Sequence, residues 1–129
     1  MATVSTEITI SSSDLFGSNT NRQQLSFTQS KDLSITPETS GLGTVTAPVS
    51  GGTAILLNAD AIASQGHFWI KNNSSAVAVN VYRDSGSNVI AQLPAGGVMM
   101  APVSVGTIYV RSADGSTTAS VDYFFADLT

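Results

Sequence analysis

Apolar residues in this chain recur at every second position far more often than at every third or fourth. Val77, Val79 and Val81 occupy alternate positions with Ala78, Asn80 and Tyr82 between them, and the same rhythm runs through Val89, Ala91 and Leu93 and through Val121, Tyr123 and Phe125. Period two sends successive side chains to opposite faces of a strand. Strands are therefore expected over residues 6–11, 24–29, 32–36, 43–47, 53–58, 67–72, 76–83, 87–93, 98–102, 107–112 and 118–126. Between them stand turn-forming clusters at 72–75, 84–86, 94–97 and 114–116, rich in the Asn, Asp, Ser, Pro and Gly that turns favour. Short strands at this spacing, punctuated in this way, predict an all-β protein, an antiparallel β-sandwich. The one helical candidate is 58–65, closed by Gly66.

A seven-residue phrase occurs twice: Ala47-Pro-Val-Ser-Gly-Gly-Thr53 and Ala101-Pro-Val-Ser-Val-Gly-Thr107. Each copy follows one apolar stretch and leads into another, so each reads as strand, tight turn, strand. Proline lacks the ladder donor, which confines Pro48 and Pro102 to a strand end, a bulge or an edge. The interval between the copies also separates His67-Phe-Trp-Ile70 from Val121-Asp-Tyr-Phe124. The implied arrangement is two Greek-key halves, jelly-roll-like. Gly41–Gly52, with four Gly and Pro48, reads as a connection between those halves. It does not read as a domain linker.

The N-terminal segment has a different character. Ile8 and Ile10 alternate, and a polar, turn-rich stretch then carries the apolar pair Leu15 and Phe16. Residues 1–22 are expected to be either the first strand plus a loop or an extended arm that places Leu15 and Phe16 on a neighbouring subunit. Residues 23–129 are expected to form the single sandwich domain.

Composition narrows the classes of function. Charged residues make up 11% of the chain, less than half of what soluble domains usually carry, about 25%. Abundant Ser and Thr take their place. A surface of neutral hydroxyls suits contacts between packed subunits. The net charge of −4 and the scattered single cations Arg22, Lys31, Lys71, Arg83 and Arg111 exclude a nucleic-acid backbone binder, which needs clustered cations, and disfavour an anionic membrane surface. Cysteine is absent, so disulfides and thiolate metal sites are excluded. No apolar run approaches the roughly 20 residues of a membrane-spanning helix. The opening Met-Ala-Thr-Val-Ser-Thr-Glu has no basic and apolar signal pattern, so synthesis in a cytoplasm is expected.

No catalytic, metal or cofactor constellation emerges. His67 is the only histidine, and no Gly-x-Ser-x-Gly elbow accompanies it. The seven Asp and two Glu are dispersed and offer no carboxylate pair. Asp84-Ser-Gly-Ser-Asn88 starts like a calcium loop but lacks its length and terminal Glu. The chain is expected not to be an enzyme and to need no cofactor. Aromatic residues concentrate in the C-terminal half, and strand alternation turns Trp69 away from Phe68 and Ile70. The residues expected to carry contacts are Ile8, Ile10, Leu15, Phe16, Trp69, Met99, Met100 and Tyr109; of Met99 and Met100, one enters the core and the other faces outward.

Four segments carry a resemblance: Phe68-Trp-Ile-Lys-Asn-Asn-Ser-Ser75, the strand 77–82, Ile90-Ala-Gln-Leu-Pro-Ala-Gly-Gly97 and Gly106-Thr-Ile-Tyr-Val-Arg-Ser112. About half the chain thus resembles β-sandwich proteins of tailed-bacteriophage virions, of the capsid decoration (cement) type. The resemblance implies a non-enzymatic structural protein on the capsid surface, a homo-oligomer with a trimer favoured, whose partner is the major capsid protein. Two other readings stand beside it: a phage tail or fibre component, and a glycan-binding module that stacks sugars on Trp69 and Tyr109.

Overall fold

The expected alternation becomes ten strands in the computed structural model, which describes residues 2–12, 25–35, 41–57, 66–83, 87–103 and 106–127. Among these residues the secondary structure is β strand without helix. The helical candidate 58–65 lies outside them. Contacts group the chain into two units, Met1–Ser34 and Ile35–Thr129.

The first unit is a two-stranded sheet of β1 (Ala2–Ser12) and β2 (Leu25–Ile35). The two strands expected at 24–29 and 32–36 are therefore one strand, and it pairs with β1. The Oγ1 atoms of Thr9 and Thr28 lie 3.4 Å apart across this pair. Thr3, Ser5, Glu7 and Thr9, at alternate positions of β1, are all exposed, as their polarity dictates.

The second unit contains β3 (Gly41–Ala47), β4 (Ile55–Leu56), β5 (Gly66–Asn72), β6 (Val79–Arg83), β7 (Asn88–Leu93), β8 (Val98–Val103), β9 (Ile108–Ser112) and β10 (Ala119–Asp127). They form two antiparallel four-stranded sheets, ordered β3-β10-β5-β8 and β4-β9-β6-β7. One apolar cluster joins them. Ala47, Phe68, Ile70, Ala119 and Val121 come from the first sheet, and Val79, Val81, Leu93, Ile108 and Val110 from the second. The arrangement is sandwich-like, as the alternation predicted. Burial in β5 follows the period of two without exception, Gly66, Phe68, Ile70 and Asn72 being buried and His67, Trp69 and Lys71 half-buried.

Both copies of the repeat are corners between the sheets. The first leads from β3 to β4 and the second from β8 to β9. β3 and β8 are the two outermost strands of one sheet, and β4 and β9 are neighbours in the other. The corners lie at opposite ends of the first sheet: Ala47 pairs with Ala119 at the start of β10, whereas Val103 pairs with Gly66, which faces Asp127 at its end. Pro102 sits within β8, on an edge strand where its missing donor is tolerated. The correspondence between the halves does not extend to the following strands. Phe68 faces the core, whereas Asp122, its counterpart at the repeat interval, is on the outward face beside Lys71. A one-residue slip reverses every side chain of a strand, so the kinship of the two halves is confined to the corners.

One buried amide secures the crossings between sheets. Asn72 ends β5 on the inward parity and is fully buried. Its Nδ2 donates to the carbonyls of Val77 (2.8 Å), Pro94 (2.9 Å) and Leu93 (3.3 Å), and its Oδ1 accepts from Ser74 N at 3.0 Å. Backbone bonds from Asn72 N to Gly97 O and from Gly96 N to Ser74 O close the same knot. Gly96, with φ of 71°, supplies the left-handed residue of the Pro94–Gly97 turn, which Gly97 N closes onto Pro94 O at 2.8 Å. The β5–β6 and β7–β8 crossings are thereby held together.

Replacing Asn72 by Ala removes the donor from one buried and two part-buried carbonyls. Unfolding by denaturant should show a loss of about 2–4 kcal/mol, given the cost of unsatisfied buried polar groups. A loss below about 0.5 kcal/mol, the scale of an ordinary surface change, would refute this role for the amide.

Candidate functional site

Among the described residues, the inward faces of the two sheets leave no room for chemistry. A cavity of about 10 Å³ lies between Leu57, Phe68, Ile70, Ile108, Tyr123 and Phe125. It is apolar and at the lower limit for a single water. Tyr123 and Phe125 stack there with centroids 6.2 Å apart, and the Tyr123 ring lies over Gly43, where a Cβ would come within 2.7 Å of its hydroxyl. An open depression bordered by Ala76, Val77, Ala78, Ala113 and Asp114 offers one ionisable group. That group is already engaged. The Oδ1 of Asp114 accepts from Ser116 N (2.8 Å), Ser116 Oγ (2.9 Å) and Thr117 N (2.7 Å). Among the described residues, no three His, Cys, Asp or Glu side chains gather as metal ligands.

The outward face of the first sheet is organised differently. Register places Phe124 opposite both Leu42 and Trp69, and Trp69 opposite Met100. Directly paired residues share a face, so Leu42, Phe124, Trp69 and Met100 form one apolar row across all four strands. Leu42 is 77% exposed and the other three are half-buried. The adjacent row is Thr44, Asp122, Lys71 and Val98. Thr44 Oγ1 donates to Asp122 Oδ1 at 2.6 Å. Hydrogen bonds from Thr44 and then Asn73 hold the Asp122 carboxyl below its ordinary range, opposed by desolvation and helped by the charge of Lys71. The face is thus apolar along one row and carries one negative and one positive group side by side along the next.

The outward face of the second sheet is a polar network built around Tyr82. A register shift between Val81 and Tyr82 on the β7 side pairs Tyr82 with Val89, and the regular register with β9 pairs it with Tyr109. Its hydroxyl accepts from Arg111 Nη2 (2.8 Å) and Asn80 Nδ2 (3.3 Å). The Arg111 guanidinium leans over the ring, 4.9 Å from its centroid, and Nη1 donates to Gly52 O in the β3–β4 corner. Gln92 Nε2 donates to Asn80 Oδ1. This network fastens three strands and a corner to one another and leaves Arg111 Nε buried without a hydrogen-bond partner.

The residues expected to carry contacts therefore divide. Trp69 and Met100 come together as neighbours. Met99 packs inward against the core, which removes it from the outward set, because it pairs with Ile70. Tyr109 lies on the outward face of the other sheet, between Leu56 and Tyr82. Ile8 lies in β1, 41% exposed, and Ile10 in the same strand; Leu15 and Phe16 fall outside the described residues. Sequence reasoning missed Leu42 and Phe124, which complete the row. Phe124 carries a signal, since it opposes Tyr123 and Phe125 in the alternation. Leu42, a lone Leu between Gly41 and Gly43, carries none. The chain matches no protein-family model and no curated relative.

The two engaged carboxylates set an acid limit on stability. Hydrogen bonds, first those from Ser116, lower the Asp114 carboxyl below its ordinary value of 3.8, as those from Thr44 lower Asp122. A depressed folded value means the contribution is complete above the unfolded value and is lost as pH falls through the folded one. Denaturation midpoints should therefore be level from neutral pH down to about pH 5 and decline below about pH 4. Asp114→Asn should lower the neutral plateau and flatten the acid decline. An unchanged acid slope in that variant would show that the Asp114 cap is not its source.

Proposed function

We propose that this chain is a non-enzymatic structural protein of a virion, a capsid decoration protein that attaches to the head shell through a neutral, apolar sheet face. The observation that carries the reading is the row of Leu42, Phe124, Trp69 and Met100 across the outward face of the first sheet. A chain with so few charges and an apolar band on a rigid sheet is built to be covered by protein, since aromatic and Met side chains are enriched where subunits meet. Repetition over a symmetric shell multiplies a modest contact.

The order β3-β10-β5-β8 opposite β4-β9-β6-β7 supports a jelly-roll reading. Eight antiparallel strands divide equally between two sheets, and all but one of the connections, β6 to β7, cross from one sheet to the other. That is the pattern of two interleaved Greek keys, an architecture that capsid and lectin domains share. The fold alone does not choose among its functions; the outward row supports the capsid reading. The glycan reading relied on Trp69 and Tyr109 as two stacking platforms. They lie on outward faces of different sheets, and a saccharide stacked on one is separated from the other by the thickness of the sandwich.

Gold-labelled antibody raised against the purified chain should decorate the heads of particles from the producing culture. Label confined to tails would replace this reading with the fibre one, and label found only off particles would overturn both. Removing residues 1–20 should reduce attachment to shells if the arm contributes, and unchanged attachment and oligomeric state would exclude that contribution.

A further inference from the structure

The two four-stranded sheets end on four edge strands, β3, β8, β4 and β7. Edges are normally guarded against pairing by charge, proline, brevity or a bulge. Pro102 guards β8, and β4 is two residues long. β7 carries an irregularity: Val81 pairs with Ala91 and Tyr82 with Val89, so Ile90 is an extra residue in the ladder. In the separate two-stranded sheet, β1 carries Glu7 and β2 carries Lys31 and Asp32. β3 has none of these guards. Its seven residues keep unbroken register with β10 and include no charge and no proline. Every second one of them presents its N–H and C=O to the open side, and a strand is what satisfies such a row.

We infer that β3 pairs antiparallel with β3 of a second copy, about a two-fold axis normal to the sheet through Thr44. Such an axis keeps inward side chains inward, so facing residues share parity, and only centring on Thr44 uses the whole strand. Gly41 then faces Ala47 of the second copy, Leu42 faces Thr46, Gly43 faces Val45 and Thr44 faces its own counterpart. The composition of the strand selects an identical copy as its occupant. On the inward side, small residues stand opposite larger ones. The Tyr123 ring fills the space where a Cβ on Gly43 would sit, 2.7 Å from its hydroxyl. Val45 of the second copy comes beside that ring. Val45 is packed against the core yet only half-buried, so the contact covers its remaining surface and carries the core across the axis. On the outward side, threonine meets threonine, a favourable cross-strand pair, and every facing pair is uncharged. The first sheet thus continues from one copy into the next as eight strands. The contact is isologous and closes at two copies, whereas the resemblance to decoration proteins leads to three. It leaves the outward row of Leu42, Phe124, Trp69 and Met100 uncovered, and so goes beyond the reading of that row as a shell contact.

The full-length protein is tested by analytical ultracentrifugation, with circular dichroism confirming that each variant is folded. Wild type should be a dimer. Leu42 and Thr46 are exposed, and each faces the other across the axis. Leu42→Lys/Thr46→Lys therefore sets lysine against lysine twice and should dissociate at least about tenfold more readily, like charges directly opposite being disfavoured. Leu42→Lys/Thr46→Glu sets lysine against glutamate twice and should recover the dimer. The chain has no cysteine, so single thiols can report the register. Thr44→Cys should be joined to its counterpart by a short thiol-to-thiol crosslinker. Val98→Cys, exposed on the far edge strand β8, should not. A monomeric or trimeric wild type, a dimer indifferent to the two lysines, no recovery with the glutamate, or crosslinking at Val98 in place of Thr44 would overturn the inference. Dimers with no label on particles would leave this contact standing and remove the capsid reading, and label on heads with a monomeric or trimeric protein would do the reverse.

Discussion

The side-chain amide of Asn72 is the interaction on which the relation between the two sheets depends. A sandwich core is apolar and non-directional; it draws the sheets together without specifying where the chain passes from one to the other. Asn72 supplies that direction. It takes the place of an apolar side chain at the end of β5 and uses its donor group on carbonyls from two crossings. Because a buried polar group is costly unless every bond is made, the alternatives in which β6 or the β7–β8 turn is displaced leave it unsatisfied. The crossings are thus specified by penalty as much as by attraction. At the β3–β4 corner the same end of the sandwich is tied by backbone bonds from Ser112 N to Pro48 O and from Ser50 N to Asp114 O.

With the crossings held, the outward surfaces follow. Every outward residue of the first sheet is set by the parity of an inward one: Trp69 faces out because Phe68 and Ile70 face in, and Phe124 because Tyr123 and Phe125 do. The shortage of charge then has a consequence at the edges. Exposed strands are usually guarded against pairing by Lys, Pro or brevity. Here β8 carries Pro102 and β4 is two residues long, whereas β3 and β7 have neither charge nor proline. A monomer in free solution gains nothing from such edges. A protein whose working state is an assembly can tolerate them, because neighbours cover what charge would otherwise protect. The rule that large exposed apolar features mark interaction surfaces points the same way.

Much of the second unit is legible because its strands are covered on one face only, which imprints the period of two on the sequence. The expected strands at 67–72, 98–102, 107–112 and 118–126 match β5, β8, β9 and β10 to within a residue or two for this reason. Legibility is poor where the imprint is weak. The strand expected at 53–58 is only Ile55–Leu56, since apolar composition continues through Leu57 without alternation. β2 reads as two strands because Ser30-Lys31-Asp32 interrupts it with residues that also suit a turn. Asn72 reads as a turn residue from its company, Asn73, Ser74 and Ser75; nothing local distinguishes an Asn that bonds its own turn from one that enters a core.

What the sequence determined by itself is the fold class, most of the strands, the face each of their side chains takes and the two corners at Ala47–Thr53 and Ala101–Thr107. These depend on short-range properties: the pleat, the proline ring and the freedom of glycine. The tertiary structure alone decided which strands are neighbours. Leu42, Trp69, Met100 and Phe124 come from four separate stretches of the chain; only the order β3-β10-β5-β8 brings them into one row. Sheet order is settled by burial of the common core and by the hydrogen bonds at the crossings, both non-local. The row on the outward face is a by-product of that settlement, which is why no window of sequence contains it.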